Sequence, residues 1–426
     1  MWKRTVRSLR ASLRWLLPGM RVKRYVLVAA LGMGLMFLGV AQLSWQEVFL
    51  VRVVDVVEFM RGLGVPLWLS GSLFFLVGLG VLIFGIRAMN RSVLSAIADP
   101  DEVPERVWRK RRLEAGPRIA ALGGGTGLSN LLAGLKAHTA NLTGVVAATD
   151  DGGSTGRLRE SFEVPAVGDL TNCLAALSEV ERMPELMKFR FRRGEGLSGH
   201  TFGNLFLVSL YELTGDFAEA ARMANRVLAL SGAVYPSTPH PARLVAELED
   251  GRRVEGESRI RETPGRVRRV WLEPEDPPVM PEVLAAVERA EVVVLGPGSL
   301  FTSVIPSFLP PGLRSALRRT GARLVYVVNV MTEPGETDGM DAYAHYKAVA
   351  EHLGRRPEVV LVHRAPLDPQ ALERYVREGQ HPVSYDPAPF EADGVRVVEG
   401  DFVHAGSLIR HDPRKLARAL IGIGRP

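Results

Sequence analysis

Two long apolar runs open the chain, at residues 25–43 and 65–86. Neither contains a charged residue and each is about long enough to cross a bilayer, so the pattern predicts two transmembrane helices, a hairpin over residues 25–86. The first run is too long for the apolar core of a cleaved signal peptide, and no small-residue cleavage site follows it. Residues 87–116 carry mixed charge with Pro100, Pro104 and Gly116, and read as a linker. Across 117–426 short apolar runs alternate with stretches of helical period, the pattern of a mostly parallel sheet with helices on both faces. Core strands are expected at 118–122, 142–148, 291–295, 323–328 and 358–362. Helices are expected at 128–136, 170–180, 201–213, 216–230, 281–289, 341–353 and 369–378, with Asp216 and Asp341 as N-caps. An α/β insertion separates the second strand from the third. It begins helical and ends in a β-ribbon at 244–271 that turns at Asp250 and Gly251.

Hydrophobic residues make up 46% and charged residues 23% of the 426, so a packed core is expected and disorder is not. The single cysteine, Cys173, excludes an internal disulfide framework and suggests a reducing compartment, and no Cys/His cluster has zinc spacing. The net charge of +6 hints at nucleic acid, but its location argues against that partner. Lys3, Arg4, Arg7, Arg10, Arg14, Arg21, Lys23 and Arg24 lie in the first 24 residues, a basic arm without an acid, and leave the rest slightly negative. Only Arg52 and Arg61 lie between the apolar runs, whereas Arg87, Arg91, Arg106, Arg109, Lys110, Arg111 and Arg112 follow them. This bias places both termini and the α/β domain on the cytoplasmic side of the membrane. The arm, with Trp2, Leu9, Leu13 and Trp15 among its arginines, has the composition of a helix lying on the inner leaflet.

The chemistry concentrates where strands are expected to end. The first runs into Gly123, Gly124, Gly125, Thr126 and Gly127, then a helix. Glycines there let backbone approach a phosphate, which the helix N-terminus favours. The dinucleotide pattern G-x-G-x-x-G is not met, because its third glycine position falls on Leu128. The second strand ends at Asp150 and Asp151, followed by Gly152, Gly153, Ser154, Gly156 and Arg157. Such acids accept from ribose hydroxyls or hold Mg²⁺ on a diphosphate, and Arg157 can fork onto phosphate. A capped surface loop is the alternative. Asp169 is equally an N-cap or a ligand contact, and His200, with Asn204 four residues on, is a candidate general acid or phosphate contact. Asp150, Asp151 and His200 are the candidate catalytic groups. Gly296, Gly298 and Ser299 form a second glycine loop after the third strand, and Asn329 opens a polar segment running to Gly339. In a parallel sheet all four strand ends lie on one edge.

The segments GGGTGLSNLLAGLK, ATDDGGSTGRLRE, GDLTNCLAALSE, LSGHTFGNL, YPST, LGPGSLFTSVIP and NVMTEPGETDG resemble the YvcK family of gluconeogenesis factors, within the superfamily of CofD, the 2-phospho-L-lactate transferase. The resemblance runs from about Arg118 past His352. It implies a Rossmann-like fold, UDP-N-acetylglucosamine as ligand, and a role in cell shape, envelope precursor supply and growth on gluconeogenic carbon sources. Residue by residue it carries ligand contact onto Gly124, Gly125, Thr126, Gly127, Asp150, Asp151, Ser154, Arg157, Asn204, Gly296, Gly298, Ser299 and Asn329, with Mg²⁺ a candidate at Asp150 and Asp151. The N-terminal hairpin departs from the soluble members of that family, and Pro239 departs from its YPST segment. A nucleotide-sugar-binding regulator is the favoured reading. A transferase passing a phosphate-linked group from a nucleotide donor is the alternative, and an NAD-dependent oxidoreductase is disfavoured by the missing glycine. The sequence leaves homo-oligomerisation open.

Overall fold

The computed structural model describes residues 22–44, 58–59, 62–64, 66–94, 103–404, 406 and 408–424. The basic arm up to residue 21, most of the stretch between the apolar runs and residues 95–102 lie outside them. Two compact units divide between Arg109 and Lys110.

The first unit holds helices Val22–Ser44 and Leu67–Leu94, packed against each other. Glycine makes that packing close. Gly32 and Gly39 on one helix, and Gly71, Gly78 and Gly85 on the other, recur at intervals of seven and so share one stripe of each helix. A Cβ added at Gly39 would lie 2.6 Å from the Phe75 nitrogen, and one at Gly78 would lie 2.5 Å from the Met36 nitrogen. Away from this seam Leu27, Leu31, Phe37, Leu73, Leu76 and Phe84 are exposed. Among the described residues one helical stretch, Trp68–Ser92, is long and apolar enough to cross a membrane, with mean hydropathy 2.3. The apolar part of the other, Leu27–Val40, is shorter. Within the segment read as a linker, residues Val103–Glu114 form a helix.

The second unit is built on a seven-stranded sheet, parallel at every pairing, in the order β10-β9-β8-β7-β1-β2-β3. The strands are β1 Ile119–Gly123, β2 Leu142–Val146, β3 Ala233–Pro236, β7 Val292–Leu295, β8 Arg323–Val327, β9 Val359–His363 and β10 Arg396–Gly400. The five expected core strands are all present. The edge strands β3 and β10 are additional. β1 shows why both faces are covered. Ile119 and Ala121 enter one core, with helices Gly125–Leu135, Gly168–Leu177, Phe202–Thr214 and Pro413–Gly424. Ala120 and Leu122 enter the other, with helices Pro281–Arg289, Pro311–Arg319 and Ala342–Leu353. The two-residue period of a strand sends alternate side chains to opposite layers.

The insertion contributes helices to the first layer and an antiparallel sheet, β5-β4-β6, to the second. Its strands are β4 Arg243–Leu248, β5 Arg253–Glu255 and β6 Val267–Glu273, with the β4–β5 turn at the expected Asp250 and Gly251. Asp216 and Asp341 cap their helices as expected, accepting from the Ala218 and Ala344 amides. Asp169 does not cap its helix, whose N-cap is Val167.

Candidate functional site

The strand order reverses between β1 and β7. β2 and β3 lie to one side of β1, and β7 to β10 extend to the other. Loops leaving the carboxyl ends of such a pair diverge and leave a crevice, the usual ligand position in an open parallel sheet. Here the two glycine loops meet. A Cβ at Gly127 would collide with the Pro297 carbonyl, so only glycine permits the approach. Gly125, at φ +58°, opens helix Gly125–Leu135, whose N-cap Gly124 offers no side chain. The amides of Thr126 and Gly127 lie in the first turn, without intrahelical acceptors.

A cavity of about 650 Å³ opens beside this junction. Thr126, Gly127, Gly298, Ser299 and Asn329 line it, together with Arg261, Glu333, Glu336, Arg374, Tyr375, Arg410 and His411. Asn329 ties the two strand ends together by accepting from the Gly298 amide through Oδ1 (3.3 Å) and donating from Nδ2 to Glu333 (3.4 Å). Gly296, at φ +82°, lets β7 turn into the loop. Among the described residues His411 Nε2 is buried without a hydrogen-bond partner, and burial lowers its pKa to about 4, so the ring is neutral at pH 7.

A second cavity, of about 430 Å³, lies where β2 ends. Asp150, Ser154, Asp169, Thr171, Lys188, Arg190 and Asn204 line it. Behind it runs a buried polar chain. His200 Nδ1 is 2.9 Å from Ser154 Oγ, Asn204 Nδ2 donates to Ser154 Oγ (3.1 Å), and Thr171 Oγ1 donates to Asn204 Oδ1 (2.9 Å). Burial lowers the His200 pKa, and the nearby Arg157 and Arg190 charges lower it further. Its ring therefore belongs to this positioning network and stands outside the lining of both cavities.

The expected Asp150 and Asp151 pair is split. Asp150 stays at the cavity, accepting from the Gly152 amide (3.0 Å). Asp151 turns to the insertion, where its Oδ1 accepts from the Ser258 amide (2.9 Å) and hydroxyl (2.7 Å) at the start of helix Glu257–Glu262. That carboxylate helps to hold the insertion through Oδ1 and lines neither cavity. Arg157 lies apart from the cavities. Its guanidinium reaches the Ser198 carbonyl at 3.5 Å and lines neither cavity. Arg159 is the anchored arginine of this stretch, donating to the carbonyls of Thr149, Asp150 and Ala242.

Two acids, half-buried Asp169 and buried Glu336, hold the helical starts on either side of the crevice. Asp169 accepts from the Gly125 amide at 2.5 Å. Burial raises its pKa to about 6, and the charge on Asp150 adds to the rise. Glu336 accepts from the Phe301 and Thr302 amides (2.6 and 3.1 Å) and from the Thr302 hydroxyl. Burial pushes it up to about 8, and Glu333 adds to the shift. Between them Arg261, on helix Glu257–Glu262, donates to Glu257 (2.6 Å) and Thr302 (3.3 Å). Glu336 and Arg261 escaped the sequence reading because each acts across a long stretch of chain. Glu336 lay in plain view within the polar 329–339 segment.

Comparison with known proteins agrees with this architecture. Residues 119–403 match the family described as 2-phospho-L-lactate transferase CofD. The gluconeogenesis factor of Bacillus subtilis is 41% identical over 310 residues, 72% of this chain and 98% of its own length. A Deinococcus radiodurans relative is 42% identical over 423 residues, 98% of this chain and 90% of its own, so its match extends through the N-terminal region. A crystal structure of a Bacillus halodurans protein superposes with a TM-score of 0.70 at 41% identity, covering 72% of this chain and 99% of that one. The chain therefore belongs to the 2-phospho-L-lactate transferase CofD family, among relatives named as gluconeogenesis factors.

Proposed function

We propose that the chain binds a nucleotide diphosphate sugar, UDP-N-acetylglucosamine, in the crevice between β1 and β7, and that it acts as a membrane-anchored regulator of envelope precursor supply, cell shape and carbon metabolism. One observation carries the ligand reading: two glycine loops close on each other where the strand order reverses, with the Thr126 and Gly127 amides beside a cavity of about 650 Å³. Helix-start amides favour a diphosphate. Arg261, Arg374 and Arg410 add positive charge to the lining, and Asn329 and Tyr375 add groups able to orient a base or sugar. Calorimetry on the purified protein tests this reading. UDP-N-acetylglucosamine should bind in preference to GDP and NAD, and equal or absent binding of all three refutes the assignment.

The anchoring part rests on the apolar stretch Trp68–Ser92, its glycine-seamed partner helix and the excess of basic residues flanking them. Both termini and the α/β domain then face the cytoplasm. A cysteine introduced at Ser44 should react with an impermeant thiol reagent on intact cells, while one introduced at Glu181 should not. The reverse pattern overturns the topology.

Group transfer is a second reading, favoured by the family's name and by Asp150 acting on Asp169 at one cavity. Two carboxylates plus a diphosphate are a sufficient ligand set for Mg²⁺, which would neutralise charge on the leaving diphosphate. Asp150 and Asp169 would hold it, and this reading then seats the diphosphate toward the second cavity, which both acids line. Release of UDP from the bound ligand, lost in Asp150→Asn, would favour transfer over regulation.

A further inference from the structure

A finger of chain projects beside the second cavity. Residues 189–191 run antiparallel to 199–202. The Phe191 amide donates to the His200 carbonyl (2.9 Å), the Gly199 amide to Phe191 (2.9 Å), and the Phe202 amide to Phe189 (2.8 Å). The tip turns through Gly194 and Gly196, both at positive φ, where an L side chain is disfavoured. The finger is therefore a built element, hydrogen-bonded along its stem.

Its surface gathers cations and apolar side chains in one place. Lys188, Arg190, Arg192 and Arg193 are all exposed within six residues, against one acid, Glu195, at the tip. Some surface arginines elsewhere pair with carboxylates, as Arg222 with Glu282, Arg253 with Glu273, Arg269 with Glu247 and Arg364 with Glu399. Among the described residues none of the four finger cations has an ion-pair partner. Large apolar groups are exposed beside them. Phe189 is 54% exposed, Leu186 44% and Leu197 42%, and Phe189 is steadied by edge contact with Phe191 at 5.2 Å. Unpaired cations ringing exposed aromatic and aliphatic side chains suit an anionic interface with an apolar interior beneath it.

We propose that the 188–197 finger docks the α/β domain onto an anionic lipid bilayer. This rests on the reading of Trp68–Ser92 as a membrane span, which supplies the occupant: residues 93–118 link that helix covalently to β1, so the domain cannot diffuse away from the bilayer. Phe189, Leu186 and Leu197 enter the headgroup layer, and Arg192 and Arg193 meet lipid phosphates. Lys188 and Arg190 also line the second cavity, so docking sets the position of two cations at that cavity.

The test uses residues 110–426, the compact second unit, whose counterpart in Bacillus halodurans makes up nearly a whole crystallised chain. The protein is sedimented with vesicles of phosphatidylcholine alone and with added phosphatidylglycerol. Binding should require phosphatidylglycerol and weaken with salt. Arg192→Ser with Arg193→Ser should reduce partitioning roughly thirtyfold, from about fivefold per cation near such a surface. Phe189→Ser should also reduce it, with circular dichroism and UDP-sugar affinity unchanged for the arginine pair. Equal binding to both vesicle types, or an unaffected double variant, overturns the proposal. So does conversion of a dimer to a monomer by the double variant without vesicles, which makes the finger a self-contact. Because the helices are absent from this experiment, its failure is separable from failure of the anchoring reading, which the thiol labelling decides.

Discussion

At the scale of the residue, the site is governed by what glycine permits and what burial does to acids. Gly127 sits against the Pro297 carbonyl with no room for a side chain. Gly127→Val should part the two loops and abolish UDP-sugar binding by calorimetry, with helix content by circular dichroism retained. Asp151 presents a different case. Its bonds to Ser258 hold the insertion, so Asp151→Ala should cost about 1–3 kcal/mol in denaturant unfolding. Ligand affinity should change little, because Asp151 lies outside the lining of both cavities. The two acids at the helical starts predict a pH dependence. Glu336 titrates near 8 when folded against an ordinary value of 4.5, and Asp169 near 6 against 3.8. The folded state therefore holds protons that the unfolded chain has released. Stability from these groups is fully present below the unfolded values and is lost as pH rises through about 6 for Asp169 and about 8 for Glu336. Thermal melts should fall from pH 5 to pH 8.5, and Glu336→Gln should flatten the upper part of that fall.

At the scale of the element, the hairpin makes the sharpest demand. Gly78→Leu would force the backbones apart along the seam, and overpacking of this kind costs about 1–3 kcal/mol. The full chain in detergent should show a weakened hairpin by cysteine cross-linking between the two helices, with UDP-sugar binding intact. The elements also show what a sequence can disclose. The five central strands were legible because burial on both faces makes each a nearly continuous apolar run, as in Val292–Leu295. β3 and β10 were not, because edge strands are half exposed and lack a continuous apolar run: β3 contains Pro236, and β10 reads Arg-Val-Val-Glu-Gly. Helix Gly153–Phe162 was hidden by its opening Gly-Ser-Thr-Gly, which has the composition of a loop. Both glycine loops were readable because a positive φ or a close approach leaves glycine as its mark. Their carboxylate partners were not, since Asp169 stands 44 positions from Gly125 and Glu336 stands 35 from Phe301, and no local pattern encodes such pairings.

At the scale of the whole molecule, the strand order has a consequence for time. β1 lies between β2 and β7. The first partner follows at once, but the second is far behind: Arg118 and Glu291, at the matching ends of β1 and β7, are 173 positions apart. A ribosome adding roughly 5–20 residues per second needs about ten to thirty-five seconds to cover that distance. During that interval one edge of β1 has its amides and carbonyls unpaired, and the crevice that carries the proposed function does not yet exist. Trp68–Ser92 leaves the ribosome well before this wait begins. If that stretch inserts as proposed, the unfinished sheet spends the interval held at a membrane surface. Chains stalled before residue 292 should be cleaved rapidly by added protease downstream of β1, and chains stalled beyond β8 should resist. If both resist equally, the insertion alone covers the open edge and the nascent chain is never exposed.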